Sequence, residues 1–251
     1  VERTIVKEKI VPKGTMELGI CASSHGIGAT YTSILCAQSL AGEYKVAYVE
    51  QNKSGHIQCM LEEFIQKREA NVQGGIFSYQ GVDYYFGMDY LQFAMKHRNA
   101  YDFVVADFGA LDTETNVQEF FRMNKHFLVI PHVLWRTNEI SSCCEWMQEK
   151  AQMEDAVFLT PYAVDANLRI QIEDLFDPEE ILEVGYVADA FHPGVEQKNL
   201  FYRLCGVQSG NEQKKVFQRI SKRFLNQNFF AKARLLECFT ESWRKRTKEV
   251  K

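Results

Sequence analysis

Apolar residues along this chain fall into short unbroken runs, and between the runs they recur every three to four positions. Leu18-Gly19-Ile20-Cys21-Ala22, Lys45-Val46-Ala47-Tyr48-Val49-Glu50, Tyr101-Asp102-Phe103-Val104-Val105-Ala106-Asp107-Phe108-Gly109, His126-Phe127-Leu128-Val129-Ile130-Pro131 and Ala156-Val157-Phe158-Leu159-Thr160-Pro161 are the runs. Their brevity and bulk predict buried strands. Helical spacing predicts helices over 32–41, closed by Gly42, and over 57–68, 91–97, 115–123 and 137–153. Between Gly74 and Gly87 the alternation around Gly81 predicts two short strands joined by a turn. A last, weaker strand is expected near 181–187.

Strand and helix alternate from the start, so the strands pair in parallel through right-handed crossovers. The expected fold is α/β: a three-layer, doubly wound, mostly parallel sheet, with helices at the C-terminus. Strands that end at Glu50, Asp107, Pro131 and Thr160 bring their carboxyl ends to one edge, where open α/β sheets bind ligands. No repeat or low-complexity linker interrupts the pattern. The organisation expected is an extension over 1–17, one domain over 18–210, and helices over 214–225 and 229–248 in a basic C-terminal segment, 211–251. Phe229, Ala233, Leu236, Phe239 or Thr240, and Trp243 share one face of the second of these helices.

Charge changes this picture in one place. Residues 211–251 carry twelve Lys/Arg against four Asp/Glu, which leaves the first 210 residues at −12 within a net charge of −4. The tail is thus a cationic element beside an acidic body. It is expected to pack on the domain, with an anionic membrane surface or a protein partner as alternatives. No base-reading motif points to nucleic acid. At 251 residues the chain can bury a sizeable core, and no apolar run reaches the roughly 20 residues of a membrane span. Charged residues at positions 2, 3, 7, 8 and 9 do not resemble a signal peptide, so a cytoplasmic location, or a membrane-peripheral one through the tail, is expected. The start at Val1, running straight into Ile5–Val11, suggests an excised domain or a processed product. Seven cysteines without a C-x-x-C pair read as reduced thiols, and the six histidines lack metal-ligand spacing.

The candidate chemistry lies between the first strand and the first helix, at Ser23-Ser24-His25-Gly26-Ile27-Gly28-Ala29-Thr30. A phosphate-binding loop, G-x-x-x-x-G-K-[ST], uses glycines so that backbone N–H groups can close round phosphates, a lysine to neutralise them, and a hydroxyl for Mg²⁺. Gly26, Gly28 and Thr30 keep this outline, while Ser23 and Ala29 stand at the first glycine and the lysine. His25 can offer an imidazolium to phosphate at low pH. Arg136 and Lys53, in loops on the same edge, are two candidates for the missing cation.

From Leu18 to about Leu204 the order of elements resembles the MinD/ParA family of deviant P-loop ATPases of the SIMIBI class, which includes partition, septum-positioning and Tad/Cpa-type pilus-localisation proteins. The family loop, K-G-G-x-G-K-[ST]-[ST], aligns with Ser24-His25-Gly26-Ile27-Gly28-Ala29-Thr30-Tyr31, so both lysines are replaced. The resemblance implies ATP or ADP with Mg²⁺ held by Ser24, His25, Gly26, Ile27, Gly28, Ala29, Thr30 and Tyr31. It places Mg²⁺ near Thr30 and Asp107. Glu50 aligns with the carboxylate that orients the attacking water, and Phe103–Gly109 matches the Walker B strand, which makes Glu50 and Asp107 the implied catalytic pair. Where the family often reads adenine with an Asn after the strand Val157–Leu159 this chain has Thr160-Pro161, and Val184–Asp189 resembles the family's later I-P-x-D strand. A homodimer or protein partner is implied, and septum-site members use a C-terminal helix on membranes.

Loss of the lysine removes a charge-assisted contact of about 1.5–3 kcal/mol, and affinity falls by about one to two decades. Hydrolysis suffers more, because the lysine also stabilises charge that grows in the transition state. The expected function is a nucleotide-binding or pseudo-ATPase module acting in localisation or assembly. An active ATPase with a displaced cation, and a ligand-free interaction domain with His25 and Tyr31 filling the phosphate space, are the alternatives.

Overall fold

The structure is a computed structural model that describes residues 14–67, 71–73, 76–112, 115–150, 156–176 and 180–207. The extension up to residue 13 and the C-terminal segment 211–251, with its expected helices and membrane face, lie outside the described residues. The strands are β1 (Met16–Ala22), β2 (Val46–Glu50), β3 (Asn71–Gln73), β4 (Ile76–Tyr79), β5 (Val82–Tyr85), β6 (Phe103–Ala110), β7 (Lys125–Val129), β8 (Ala156–Thr160) and β9 (Glu180–Glu183). The helices are α1 (Ala29–Ala41), α2 (His56–Lys67), α3 (Tyr90–Lys96), α4 (Val117–Phe120), α5 (Thr137–Lys150), α6 (Ala166–Phe176) and α7 (Val195–Leu204).

The strands form one sheet in the order β3-β4-β5-β2-β6-β1-β7-β8-β9. Every pairing from β5 to β9 is parallel, and β3-β4 and β4-β5 are antiparallel. Alternating side chains feed two cores. Leu18, Ile20, Ala22, Tyr48 and Val105 pack with Leu35 of α1, Ile57 of α2 and Phe201 of α7. Cys21, Val49, Val104 and Ala106 pack on the other face with Phe93 of α3, Phe120 of α4, Ile140 of α5 and Leu168 of α6. The result is the expected three-layer, doubly wound arrangement. No described helix is long and apolar enough to cross a membrane.

Several elements differ from the sequence expectation. The helix expected over 115–123 is a single turn, because Asn116 caps it through the Glu119 N–H and Asn124 turns away to accept from the Glu17 N–H at 2.7 Å. The strand expected near 181–187 stops at Glu183, and residues 184–187 are irregular. Helices α6 and α7 and the three-residue strand β3 were not foreseen. The strand expected to end on Asp107 runs on to Ala110. Its register with β1 jumps from Ile20↔Asp107 to Cys21↔Gly109, so Phe108 is an inserted residue and the strand passes the acid through a bulge.

Candidate functional site

The central strand β1 delivers its chain to the carboxyl edge, where Ser23 N–H still bonds the Val129 carbonyl at 2.9 Å. The chain then turns through Gly26 (φ 76°) and Gly28 (φ 112°), both left-handed, which glycine adopts without strain. Ile27 points inward and is buried in the core, anchoring the turn. Helix α1 opens with Gly28 as its N-cap, with no side-chain cap and no acidic residue in the first turn. The first-turn N–H groups of such a helix have no intrahelical partner and favour an anion.

This turn forms one wall of a cleft of about 430 Å³. Ser24, His25, Gly26, Gly28, Ala29, Thr30 and Tyr31 line it from one side, and Gln51, Asn52, Lys53, Ser54, His56, Phe108, Gly109, Ala110, Asp112 and Thr115 from the others. The His25 side chain is 85% exposed, with Nε2 3.9 Å from an Asp112 oxygen. The Tyr31 hydroxyl donates to the Val187 carbonyl at 2.6 Å and accepts from the Val187 N–H at 3.0 Å. The space in front of the turn is therefore open: a Cβ added to Gly26 meets nothing within 4 Å.

Beneath the cleft, and not among its lining residues, lie the two carboxylates that the sequence singled out. Glu50 and Asp107 are register partners on β2 and β6. Asp107 is fully buried. Its Oδ2 accepts from the Tyr48 hydroxyl at 2.6 Å and its Oδ1 from the Gly109 N–H at 2.9 Å, and the Thr30 hydroxyl also bonds it. Burial raises its pKa above the ordinary carboxylate value, and these donors pull the other way. Glu50 is 6% exposed, and its Oε1 accepts from Ser54 Oγ at 3.2 Å and from the Ile57 N–H at 3.4 Å. Burial raises its pKa too, and the Asp107 charge adds to the effect.

The two candidate cations part company. Lys53 lines the cleft. Arg136 does not. Its Nε and Nη2 fork onto Glu139 at 2.8 and 2.7 Å, and Nη2 also donates to Ser24 Oγ at 3.0 Å and to the His25 carbonyl at 3.3 Å. Ser24 in turn donates its hydroxyl to Glu139. Glu139, held below the ordinary carboxylate range by this guanidinium, lines a separate hollow of about 420 Å³ with Ser23, Ser24, Asn138, Ser142 and Cys143. Arg136 grips the loop from that side.

No family model and no curated protein sequence matches the chain. Solved structures do. The septum site-determining protein MinD of Pyrococcus horikoshii OT3, complexed with Mg-ADP, matches with a TM-score of 0.53 at 12% identity, over 76% of this chain and 94% of that one. A plasmid partition protein of Borrelia burgdorferi gives a TM-score of 0.53 at 12% identity, over 76% and 98%. One from Borrelia burgdorferi B31 bound to AMPPNP gives 0.52 at 12% identity, over 77% and 98%. This chain has the MinD/ParA-type fold.

On that MinD/ParA-type frame, seven of the eight loop residues named from the sequence meet in the cleft, and Ile27 belongs to the core. Thr30 lies between the cleft and Asp107. Beyond β8 and β9, Tyr162 and Tyr186 stack with centroids 5.9 Å apart, and His132 lies 4.7 Å from Tyr162. Thr160 is fully buried, with its hydroxyl donated to the Tyr162 carbonyl at 2.7 Å. The sequence reading missed Tyr48 as the partner of Asp107 and Glu139 as the partner of Arg136. The period-two pattern of β2, which puts Tyr48 and Glu50 on one face, is the signal that finds Tyr48.

Proposed function

We propose that this chain is a nucleotide-binding module that has given up efficient hydrolysis and works in localisation or assembly through a protein partner or a second copy of itself. The observation that carries the reading is the combination at the cleft: an open glycine loop and uncapped helix N-terminus, with Ala29 and Ser24 where a MinD/ParA-type loop has its lysines. The backbone donors for phosphate remain. The cations that stabilise a transferring phosphoryl group do not.

The residues present fit a nucleotide in backbone geometry and in the Thr30–Asp107 pair. Bound Mg²⁺ would neutralise phosphate charge, and Thr30, with Asp107 behind it, is the side chain that would hold it. Two of the solved structures of this fold were determined with AMPPNP and with Mg-ADP, which supports the same ligand class here. The ligand-free alternative has less support, because neither His25 nor Tyr31 closes the space in front of the loop.

Calorimetric titration of the full chain with ATP and ADP, with and without Mg²⁺, tests the reading alongside a phosphate-release assay. Binding is expected about one to two decades weaker than for a loop that keeps its lysine, with turnover near background. Turnover at rates ordinary for an intact loop, abolished by Asp107→Ala, would overturn the proposal, and so would no heat with any nucleotide.

A further inference from the structure

We infer that Arg136 is a positioning residue for phosphate binding: by holding the His25 carbonyl on the outer side of the loop, it aims the Gly26 N–H into the cleft. The inference rests on the nucleotide-binding reading above and says what orients one of its donors. His25 and Gly26 line the cleft, and Arg136 does not. Arg136 Nη2 donates to the His25 carbonyl at 3.3 Å. In a planar trans peptide the carbonyl of one residue and the N–H of the next point in opposite directions. A His25 carbonyl turned to the guanidinium therefore turns the Gly26 N–H toward the open space of the cleft. Among the described residues no acceptor takes that N–H, which leaves it for a phosphate oxygen.

The loop needs such a hold. Gly26 (φ 76°) and Gly28 (φ 112°) give it wide conformational freedom, and a free loop would have to be ordered at the moment of binding. Arg136 fixes two successive residues, because the same nitrogen donates to Ser24 Oγ at 3.0 Å. The guanidinium is itself held by Glu139, which takes Nε and Nη2 at 2.8 and 2.7 Å and also accepts the Ser24 hydroxyl. Arg136 ends the turn before α5 and Glu139 lies in the first turn of that helix, so the clamp is carried by a separate element of the fold.

With Ala29 in place of a lysine, backbone donors carry a larger share of phosphate recognition, and the direction of each one matters more. Arg136 acts on them from behind. To touch a phosphate in the cleft, it would have to leave the Glu139 fork and give up its bonds to Ser24 and the His25 carbonyl.

The test is calorimetry on the full chain at neutral pH, with ATP, tripolyphosphate and adenosine as probes, for the wild type, Arg136→Ala, Arg136→Lys and Glu139→Ala. Arg136→Ala is expected to weaken ATP and tripolyphosphate by about 10-fold, to leave adenosine unchanged, and to lower the NMR order parameters of the loop amides before any nucleotide is added. The salt dependence of ATP binding stays as in the wild type, because no phosphate contact is lost. Arg136→Lys, which keeps a donor for the carbonyl, recovers part of the affinity. Glu139→Ala removes the anchor and weakens ATP as well, whereas a guanidinium that contacted phosphate would bind more tightly once released. The Arg136 side chain is 31% exposed, so its loss opens no cavity in the core, and thermal unfolding of the same samples checks this. Equal ATP binding by wild type and Arg136→Ala overturns this inference and leaves the nucleotide reading standing. Tighter binding by Glu139→Ala, unchanged loop order in Arg136→Ala, or an equal loss for adenosine also overturns it. Absence of binding by the wild type overturns both.

Discussion

Tyr48 and Asp107, 59 residues apart in the chain, meet inside the protein with the phenol oxygen 2.6 Å from the carboxylate and neither side chain exposed. A carboxyl group taken wholly out of water is costly unless donors surround it. Asp107 collects them from Tyr48, Thr30 and the Gly109 N–H.

Removing the phenol by Tyr48→Phe leaves that carboxyl one donor short and is expected to cost about 1–3 kcal/mol of stability. Asp107→Asn disturbs the same contact from the other side. Urea unfolding of the two single variants and the double variant should therefore give a coupling energy of about 0.5 kcal/mol or more. Strict additivity would mean that the contact contributes nothing to folding.

The pH dependence follows from the same burial. Asp107 and Glu50 both have pKa values raised in the folded state, so folding favours their protonated forms. The unfolded chain releases those protons near the ordinary carboxylate value of about 4. Their contribution is therefore complete below that value and is lost as pH rises through the raised folded pKa. The difference in unfolding free energy between wild type and Asp107→Asn should move against the wild type as pH climbs from about 4 toward neutrality. Denaturation curves across that range decide it, and a difference that grows in the wild type's favour would reverse the sign of the argument.

Gly109 is the residue that lets the bulge close on Asp107. Its φ is 67°, and a Cβ there would stand 2.7 Å from the Asn52 Cβ, closer than carbon atoms approach. Gly109→Ala thus combines left-handed strain with displacement of Asn52, and about 1–3 kcal/mol of destabilisation is expected. Gly26→Ala carries the left-handed strain without the collision. By thermal unfolding Gly109→Ala should melt well below Gly26→Ala, at about 2–4 °C per kcal/mol for a domain of this size. Equal melting temperatures would show that Asn52 yields freely.

The sequence by itself determined the order of strands and helices that brings Ser24–Tyr31, Glu50 and Asp107 to one edge, because buried runs and helical spacing are local properties. It also determined that Ala29 and Ser24 carry no charge, which shapes every reading of the chemistry. The three-residue pairing of β3 and the single turn of α4 were beyond it, since their limits are set by a neighbouring strand and by Asn124 reaching Glu17. Only the tertiary structure decided which side of the loop each candidate cation occupies. Arg136 meets Ser24 across 112 residues of chain, and Lys53 faces Gly26–Thr30 across the cleft. Contacts between residues so far apart depend on how parallel strands are ordered in the sheet, and no pattern along the chain records that order.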